Sequence, residues 1–249
     1  MIMAEGVPET SRFVTHGEYE LRGYKGPEYA YHGPSFLHVA KQMFADVFHL
    51  NPDEAAKEVA SNIRSGGSIV LATHRPSGEI VAYSTQRILQ PPFESGVRIM
   101  LTTTRLVLPE HWGNQLGPDM MRFAHILHDA PDVSAGRTQD PRVPRLYQKS
   151  GLLTGVYPFD KSYKDSPRMQ RVLEYVADQM RPKRAVDLDT GLTKEIYGEG
   201  ASRAYDNTVA PPELQAFYAR MINEFGMNPE QGDALVIMGV KRGRTNFVE

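Results

Sequence analysis

Between Ser68 and Leu108 the chain carries three β-rich runs, SIVLATH, IVAYSTQRIL and VRIMLTTTRLVL, the first pair joined by the turn-forming RPSGE. Val, Ile, Thr and Tyr dominate them, and a Pro and Gly turn between such runs specifies an antiparallel hairpin with a third strand to follow. Helical periods lie on both sides. Upstream, Leu37, Ala40, Phe44, Val47 and Phe48 form an apolar face over about 35–50, and Asn51 with Pro52 opens a second helix whose stripe is Ala55, Val59 and Ile63, stopped at Gly66 and Gly67. Downstream, PDMMRFAHILHDA is helical from Gly117, with Met121, Ala124 and Ile126 to Leu127 inward. VSAGRTQ reads as a short strand, and DPRVPRLYQKSGL, Asp140 to Leu152, as a short helix. The predicted core order is ααβββαβα, in the α/β class.

Residues 1–34 are rich in Gly, Pro, Tyr and charge without a clear period, which predicts an irregular N-terminal arm with one strand near Phe13 to Leu21. LLTGVYPF, after the short helix, reads as another strand. Met169, Val172, Leu173, Val176 and Met180 mark one later helix. Leu214, Phe217, Tyr218, Met221 and Phe225 mark a second, stopped by Gly226, and ALVIMGV is a last strand. Residues 182–210 between those helices are polar and Gly-rich. The expected organisation is an arm over 1–34, a core over 35–160 and an extension over 161–249 packed on that core.

At 249 residues, 41% hydrophobic and 23% charged, the chain can bury a real core, and no apolar run reaches bilayer length. The N-terminus lacks a basic region and an apolar stretch, so a cytoplasmic protein with no membrane role is expected. Zero cysteines exclude disulfides, thiolate metal sites and cysteine nucleophiles. A formal charge of -2 gives no global field for nucleic acid, so none is expected as a partner and any anion site is local. His125 and His128 sit three apart on a helix with no third ligand evident. They read as surface or partly buried histidines, and no metal is expected.

The chemistry concentrates in LVLPEHWGNQLG, Leu106 to Gly117, where a strand runs through Pro109 into a Gly-containing loop that opens a helix. Successive N–H groups of such a loop, with the helix N-terminus, suit a pyrophosphate. Val107, Pro109, Glu110, Gly113 and Gly117 match the coenzyme A loop pattern VxPExRGxGxG. Asp140, Val143, Leu146, Tyr147, Lys149, Gly151 and Leu152 match NxxAxxLYxKxGF at the kept spacing. On these motifs residues 36 to 158 resemble the GNAT superfamily of acyl-CoA-dependent N-acyltransferases. The resemblance implies a mixed, mostly antiparallel sheet flanked by helices, here with a C-terminal helical and strand extension. Trp112 stands where the family has Arg or Gln, Gln115 replaces a glycine, and Asp140 replaces the usual Asn.

What the resemblance implies is an N-acetyltransferase moving an acetyl group from acetyl-CoA to a primary amine by direct attack in a ternary complex. Acyl-CoA would lie along Leu106, Val107, Leu108, Trp112, Gly113, Asn114, Gln115, Leu116 and Gly117, with Asp140 near the pantetheine arm. Free backbone groups around Leu106 and Val107 would pair with its amides. Tyr147 would donate a proton to the departing thiolate. Its bland reading is a half-buried helix aromatic, and that of Asp140 is a helix N-cap. A base for the amine is not singled out by any motif. Glu94, before the third strand, and His111, beside the loop, are the candidates, and burial statistics favour a solvated surface residue for each. Thr102, Thr103, Thr104 and Arg105 put polar groups on the same strand. The alternative from another class is a catalytically inactive GNAT-like binding or regulatory module, for which Trp112 and Gln115 are the support. The extension packs on its own core or on a second subunit, which leaves a homodimer open.

Overall fold

The computed structural model describes residues 12–26, 28, 36, 39–43, 52–163, 165–180, 183–197 and 211–244. Strands β1 (Arg12–His16), β2 (Tyr19–Lys25), β3 (Ser68–His74), β4 (Glu79–Leu89), β5 (Ile99–Val107), β6 (Val133–Thr138), β7 (Leu192–Thr193) and β8 (Ala234–Val240) form one sheet of order β1-β2-β3-β4-β5-β6-β8-β7. Every pairing is antiparallel except β5 with β6. That parallel step requires a crossover, which α2 (Leu116–Leu127) supplies. The other helices are α1 (Pro52–Arg64), α3 (Arg142–Lys149), α4 (Pro167–Gln179) and α5 (Pro212–Asn223).

Alternation along the strands sends successive residues to opposite layers. Ile99 and Leu101 of β5 join the α4 residues Met169, Val172, Leu173 and Val176, while Met100 joins Met120, Phe123 and Ala124 of α2. Phe36, Ala40 and Met43 with Val59 of α1 cover Ile69, Tyr83 and Leu106. On β8, Val236, Met238 and Val240 face α4, and Leu235 and Ile237 face the cluster holding Tyr147 of α3 and Met221 of α5. The sheet is therefore the middle of three layers, with α1 and α4 on one side and α2, α3 and α5 on the other. This is the mixed, mostly antiparallel sheet with a C-terminal helical and strand extension that the motifs imply.

The N-terminal region departs from the expected irregular arm. β1 and β2 pair as a hairpin around Gly17 and Glu18, with Gly17 at φ +56°, and β2 pairs with β3 along its whole length. The alternation of β2 was disguised because one inward position is Gly23, where a Cβ would stand 2.8 Å from Phe123 and 2.9 Å from Leu127. LLTGVYPF is not a strand either. Its ladder pairing along β8 is limited to the isolated bridges Tyr157↔Met238 and, just past the strand, Leu153↔Lys241, because Gly155 and Pro158 interrupt the run and Pro158 has no N–H to offer a ladder. Of the helix expected over 35–50, residues 36 and 39–43 are helical, and the rest lies outside the described residues, as does Asn51.

Two side-chain expectations on α2 change as well. Ile126 faces solvent at 52% exposure, since residues 120, 123, 124 and 127 already fill the stripe toward the sheet. His125 and His128 are buried, at 3% and 6%, because small serines opposite leave room for imidazoles and a hydroxyl to meet each. His125 Nε2 lies 2.7 Å from Ser134 Oγ, and His128 Nε2 lies 2.6 Å from Ser68 Oγ.

Candidate functional site at the splay between strands β5 and β6

Pairing between β5 and β6 runs only from Ile99↔Val133 to Leu101↔Ala135, although β5 continues to Val107 and β6 to Thr138. From Thr102 onward the β6-facing edge of β5 has no strand partner, and the two strands open as a wedge. On its other edge β5 stays paired with β4 as far as Val107↔Ala82, with a bulge at Thr85/Gln86 that inserts Thr103. Thr103 is tied to the α1 layer, its Oγ1 2.8 Å from Thr85 Oγ1 and accepting Asn62 Nδ2 at 3.1 Å. The bulge leaves Thr102, Arg105 and Val107 toward the α2 and α3 layer.

The crotch of the wedge is filled by Tyr147. Its side chain is 1% exposed and its hydroxyl is buried without a hydrogen-bond partner. A Cβ built on Gly136 of β6 would lie 3.4 Å from that hydroxyl and 3.5 Å from the Thr102 carbonyl oxygen, so the glycine keeps the opening clear. Thr102 Oγ1 and Arg105 Nη2 are likewise buried and unpartnered. Burial pushes the Tyr147 pKa up to about 12, against smaller opposing effects of the Arg105 charge and of the Thr102 hydroxyl, a near polar group that the phenol does not meet in hydrogen-bonding geometry. The phenol is therefore protonated at any ordinary pH.

At the mouth of the wedge, Pro109–His111 make one 3₁₀ turn and the chain then swings into α2 through Gly113 at φ +88° and Gln115 at φ +59°. Among the described residues the backbone N–H groups of Gly113, Asn114, Gln115, Leu116 and Gly117 have no protein acceptor. With the N-terminus of α2 they form a donor-lined cradle suited to phosphate oxygens. Gly117 also allows α3 to approach, since a Cβ there would meet Leu146 Cδ1 at 2.7 Å. A cleft of about 320 Å³ lies between this loop and the first hairpin, lined by Gly17, Glu18, Tyr19, Gly113, Asn114 and Gln115.

Trp112 is 43% exposed, and its indole Nε1 donates to the Val107 carbonyl at 2.8 Å. That oxygen, expected free for an amide of the ligand, already has a donor. The Arg142 guanidinium lies 3.8 Å over the Trp112 ring and is held by both carboxylate oxygens of Asp140 at 2.9 and 2.7 Å. Asp140 also accepts the Arg142 backbone N–H at 2.8 Å, so it caps α3 and orients the arginine that stacks on the loop.

The candidate bases lie apart from each other. Glu94 precedes β5 and receives Arg168 of α4 through Nε at 3.0 Å and Nη2 at 2.9 Å, with Arg171 at 3.8 Å. His111 sits at the far side of the loop, where its Nδ1 is 3.0 Å from the Tyr19 hydroxyl, which accepts Asn114 Nδ2 at 2.9 Å. Its ring also packs against His74 at 5.1 Å. Gly136 is the site residue that sequence reading passed over. A lone glycine inside a strand pattern was the available signal. Among the described residues no helix is long and apolar enough to cross a membrane, and no group of three or more His, Cys, Asp or Glu is placed to hold a metal ion.

No family model matches the sequence, and none of the curated proteins does. Several solved structures are similar. One is the ribosomal-protein-S5-alanine acetyltransferase of Vibrio fischeri, at 8% identity, with 93% of this chain and 98% of that one covered and a TM-score of 0.47. Another is an acetyltransferase of the GNAT family from Listeria monocytogenes, at 12% identity, 58% and 93% coverage and a TM-score of 0.38. A third is Naa50 of Arabidopsis thaliana in complex with the bisubstrate analogue CoA-Ac-MVNAL, at 16% identity, 56% and 87% coverage and a TM-score of 0.39. The chain's own strand order and flanking layers make a mixed, mostly antiparallel sheet covered by helices and extended at its C-terminal end by helices and strands.

Proposed function

We propose that the chain is an acyl-CoA-dependent N-acetyltransferase that moves the acetyl group of acetyl-CoA to a primary amine by direct attack in a ternary complex. The observation that carries this reading is the unpartnered hydroxyl of Tyr147, buried where β5 and β6 part, in a wedge whose mouth presents the unpaired N–H groups of Gly113 to Gly117. A buried unpaired hydroxyl carries a desolvation cost that a bound ligand relieves, and a row of backbone donors at a helix N-terminus, exposed at Gly113 to Gln115, offers ready partners to an anion. The cradle takes the diphosphate, and the pantetheine arm runs inward along the open edge of β5 past Leu108, Val107 and Leu106, with Asp140 at its flank. This brings the thioester to Tyr147.

On this reading the acceptor amine enters from the α1 and α4 side, loses a proton and attacks the thioester carbonyl. Tyr147 donates to the sulfur as the C–S bond breaks. Binding both reactants in one wedge supplies much of the acceleration, since effective molarity is worth roughly 7 to 11 kcal/mol. For the base, Glu94 and His111 both stay in view. Glu94 is the weaker choice because Arg168 engages both of its oxygens. The test is release of free coenzyme A thiol from acetyl-CoA across a panel of primary amines, for the wild type and Tyr147→Phe. Amine-dependent release that the variant largely loses supports the reading, and no release with any amine removes it.

A second reading is favoured by one specific feature. Trp112 Nε1 occupies the Val107 carbonyl, and Gln115 takes a left-handed conformation where glycine fits best, so the loop is not shaped solely for close approach to a diphosphate. A binding or regulatory module with the same fold would show this. It is told apart by an absence of acetyl-CoA binding in folded protein.

A further inference from the structure

Arg105 leaves β5 on the α2 and α3 side, three positions beyond Thr102 on the opening strand. One end of its guanidinium is fixed. Nε donates to Ser84 Oγ at 3.3 Å, and that oxygen also accepts Gln86 Nε2 at 2.7 Å. Gln86 Oε1 accepts Ser68 Oγ at 3.0 Å, which leaves the His128 Nε2–H to donate to Ser68 at 2.6 Å. Ser68, Ser84 and Gln86 are fully buried, so this row locks the arginine from beneath α2. The other end is open: Nη2 is buried and has no partner. The ionisable group that bears on Arg105 is the phenol of Tyr147 on α3, and His125 on α2 feels Arg105 in turn and is neutral. No carboxylate among the described residues acts on it. A guanidinium cannot shed its proton, so a buried end without counter-charge is a standing cost that an arriving anion removes.

The anion that the proposed reaction develops beside Tyr147 is a thiolate. Tyr147, held near 12, is a poor source of a whole proton for it. An alkyl thiol has a pKa of about 8.5, so full transfer from such a phenol is uphill by roughly three powers of ten. What Tyr147 offers as the C–S bond breaks is a hydrogen bond, and the charge needs another home. We propose that Arg105 takes up the negative charge of the departing coenzyme A thiolate, with the Tyr147 hydroxyl donating beside it. This rests on the acyl-CoA reading above. In the step the amine nitrogen bonds to the carbonyl carbon and its proton passes to the base. The C–S bond breaks with its electron pair on sulfur, and the thiolate leaves paired with Arg105 and is protonated by solvent on release.

The experiment follows the ultraviolet absorbance of the thiolate of free coenzyme A bound to the full chain, titrated from pH 6 to 10. Over that range His125 and His128 stay neutral and Tyr147 stays protonated, so none of these neighbours changes state with the sulfur, and subtracting the same titration of the ligand-free chain removes the absorbance of its other tyrosines. The bound thiol should titrate at least about one unit below free coenzyme A in the wild type, and at or above it in Arg105→Gln. Arg105→Lys, which keeps the charge and loses the planar fork, should fall between and serves as the test if Arg105→Gln does not fold. The melting temperature of Arg105→Gln should not drop, because the substitution removes an uncompensated buried charge. A purely structural arginine would lower it. If coenzyme A binds but its thiol titrates as it does free, or equally in wild type and variants, the assignment of Arg105 is overturned while the acyl-CoA reading stands. If folded wild-type protein does not bind coenzyme A, both fall together.

Discussion

Tyr147 illustrates how burial decides a residue's role. A half-buried helix aromatic was the ordinary expectation, and the side chain is instead sealed with its hydroxyl unpartnered in the β5–β6 wedge. Tyr147→Phe should therefore leave the melting temperature unchanged or raise it, since it removes an unsatisfied buried hydroxyl, while turnover falls by roughly 10²-fold. A stability loss with unchanged turnover in parallel melts and rate assays would reverse that assignment. His125 and His128 set the pH response of the fold. Burial holds both pKa values down to about 4, against 6.5 unfolded, so the unfolded state binds the extra protons. The stability due to their neutral forms is complete above pH 6.5 and lost as pH falls toward 4, by roughly 3 kcal/mol for each histidine at the limit. Urea midpoints should drop over this window, and His125→Gln, whose amide can still reach Ser134, should remove about half of the slope. Gln115 holds φ +59°, a conformation that costs a non-glycine residue roughly 1 kcal/mol. Gln115→Gly should stabilise the chain by about that amount in the same urea assay.

At the scale of elements, the wedge depends on Gly136. Its φ lies outside the left-handed region, so alanine fits the backbone, and the added methyl would stand 3.4 Å from the Tyr147 hydroxyl. Gly136→Ala should keep its cooperative melt yet weaken acetyl-CoA binding at least about tenfold by filling the wedge. Equal affinity would mean that the ligand goes elsewhere. The strands from Ser68 to Val107 and the helices from Leu116, Pro167 and Pro212 were legible in the sequence because their β-branched runs and apolar stripes are long. The β1–β2 hairpin was not, since Gly23 blanks one apolar position of β2 and its reason, Phe123 and Leu127, lies a hundred residues away. LLTGVYPF looked like a strand for the opposite reason: its apolar side chains pack, with Leu153 and Tyr157 buried, while its backbone makes only isolated bridges. For the candidate site, the motif spacing singled out the loop and Tyr147, which the fold brings to the same β5–β6 wedge. The row from His128 through Ser68, Gln86 and Ser84 to Arg105 joins distant strands, and no local pattern announces it.

For the whole molecule, β8 is the element that ties the C-terminal part to the rest. Every residue from Ala234 to Val240 is buried, and the strand lies between β6 and β7 with helices on both faces. A chain ended after Asp160 should lose solubility, because β6 would expose a paired edge and the α4 and α5 layers would be missing. A soluble, cooperatively melting fragment would show that the core stands alone. The central claim concerns the wedge and its mouth, which the molecule keeps open with Gly136, lines with unpaired N–H groups and closes with an unpartnered tyrosine. Titration calorimetry of acetyl-CoA into the full chain tests it most directly. The account predicts saturable one-to-one binding, weakened in Gly136→Ala. Absence of any binding heat at about millimolar ligand, with the protein shown to be folded by its melt, would contradict it.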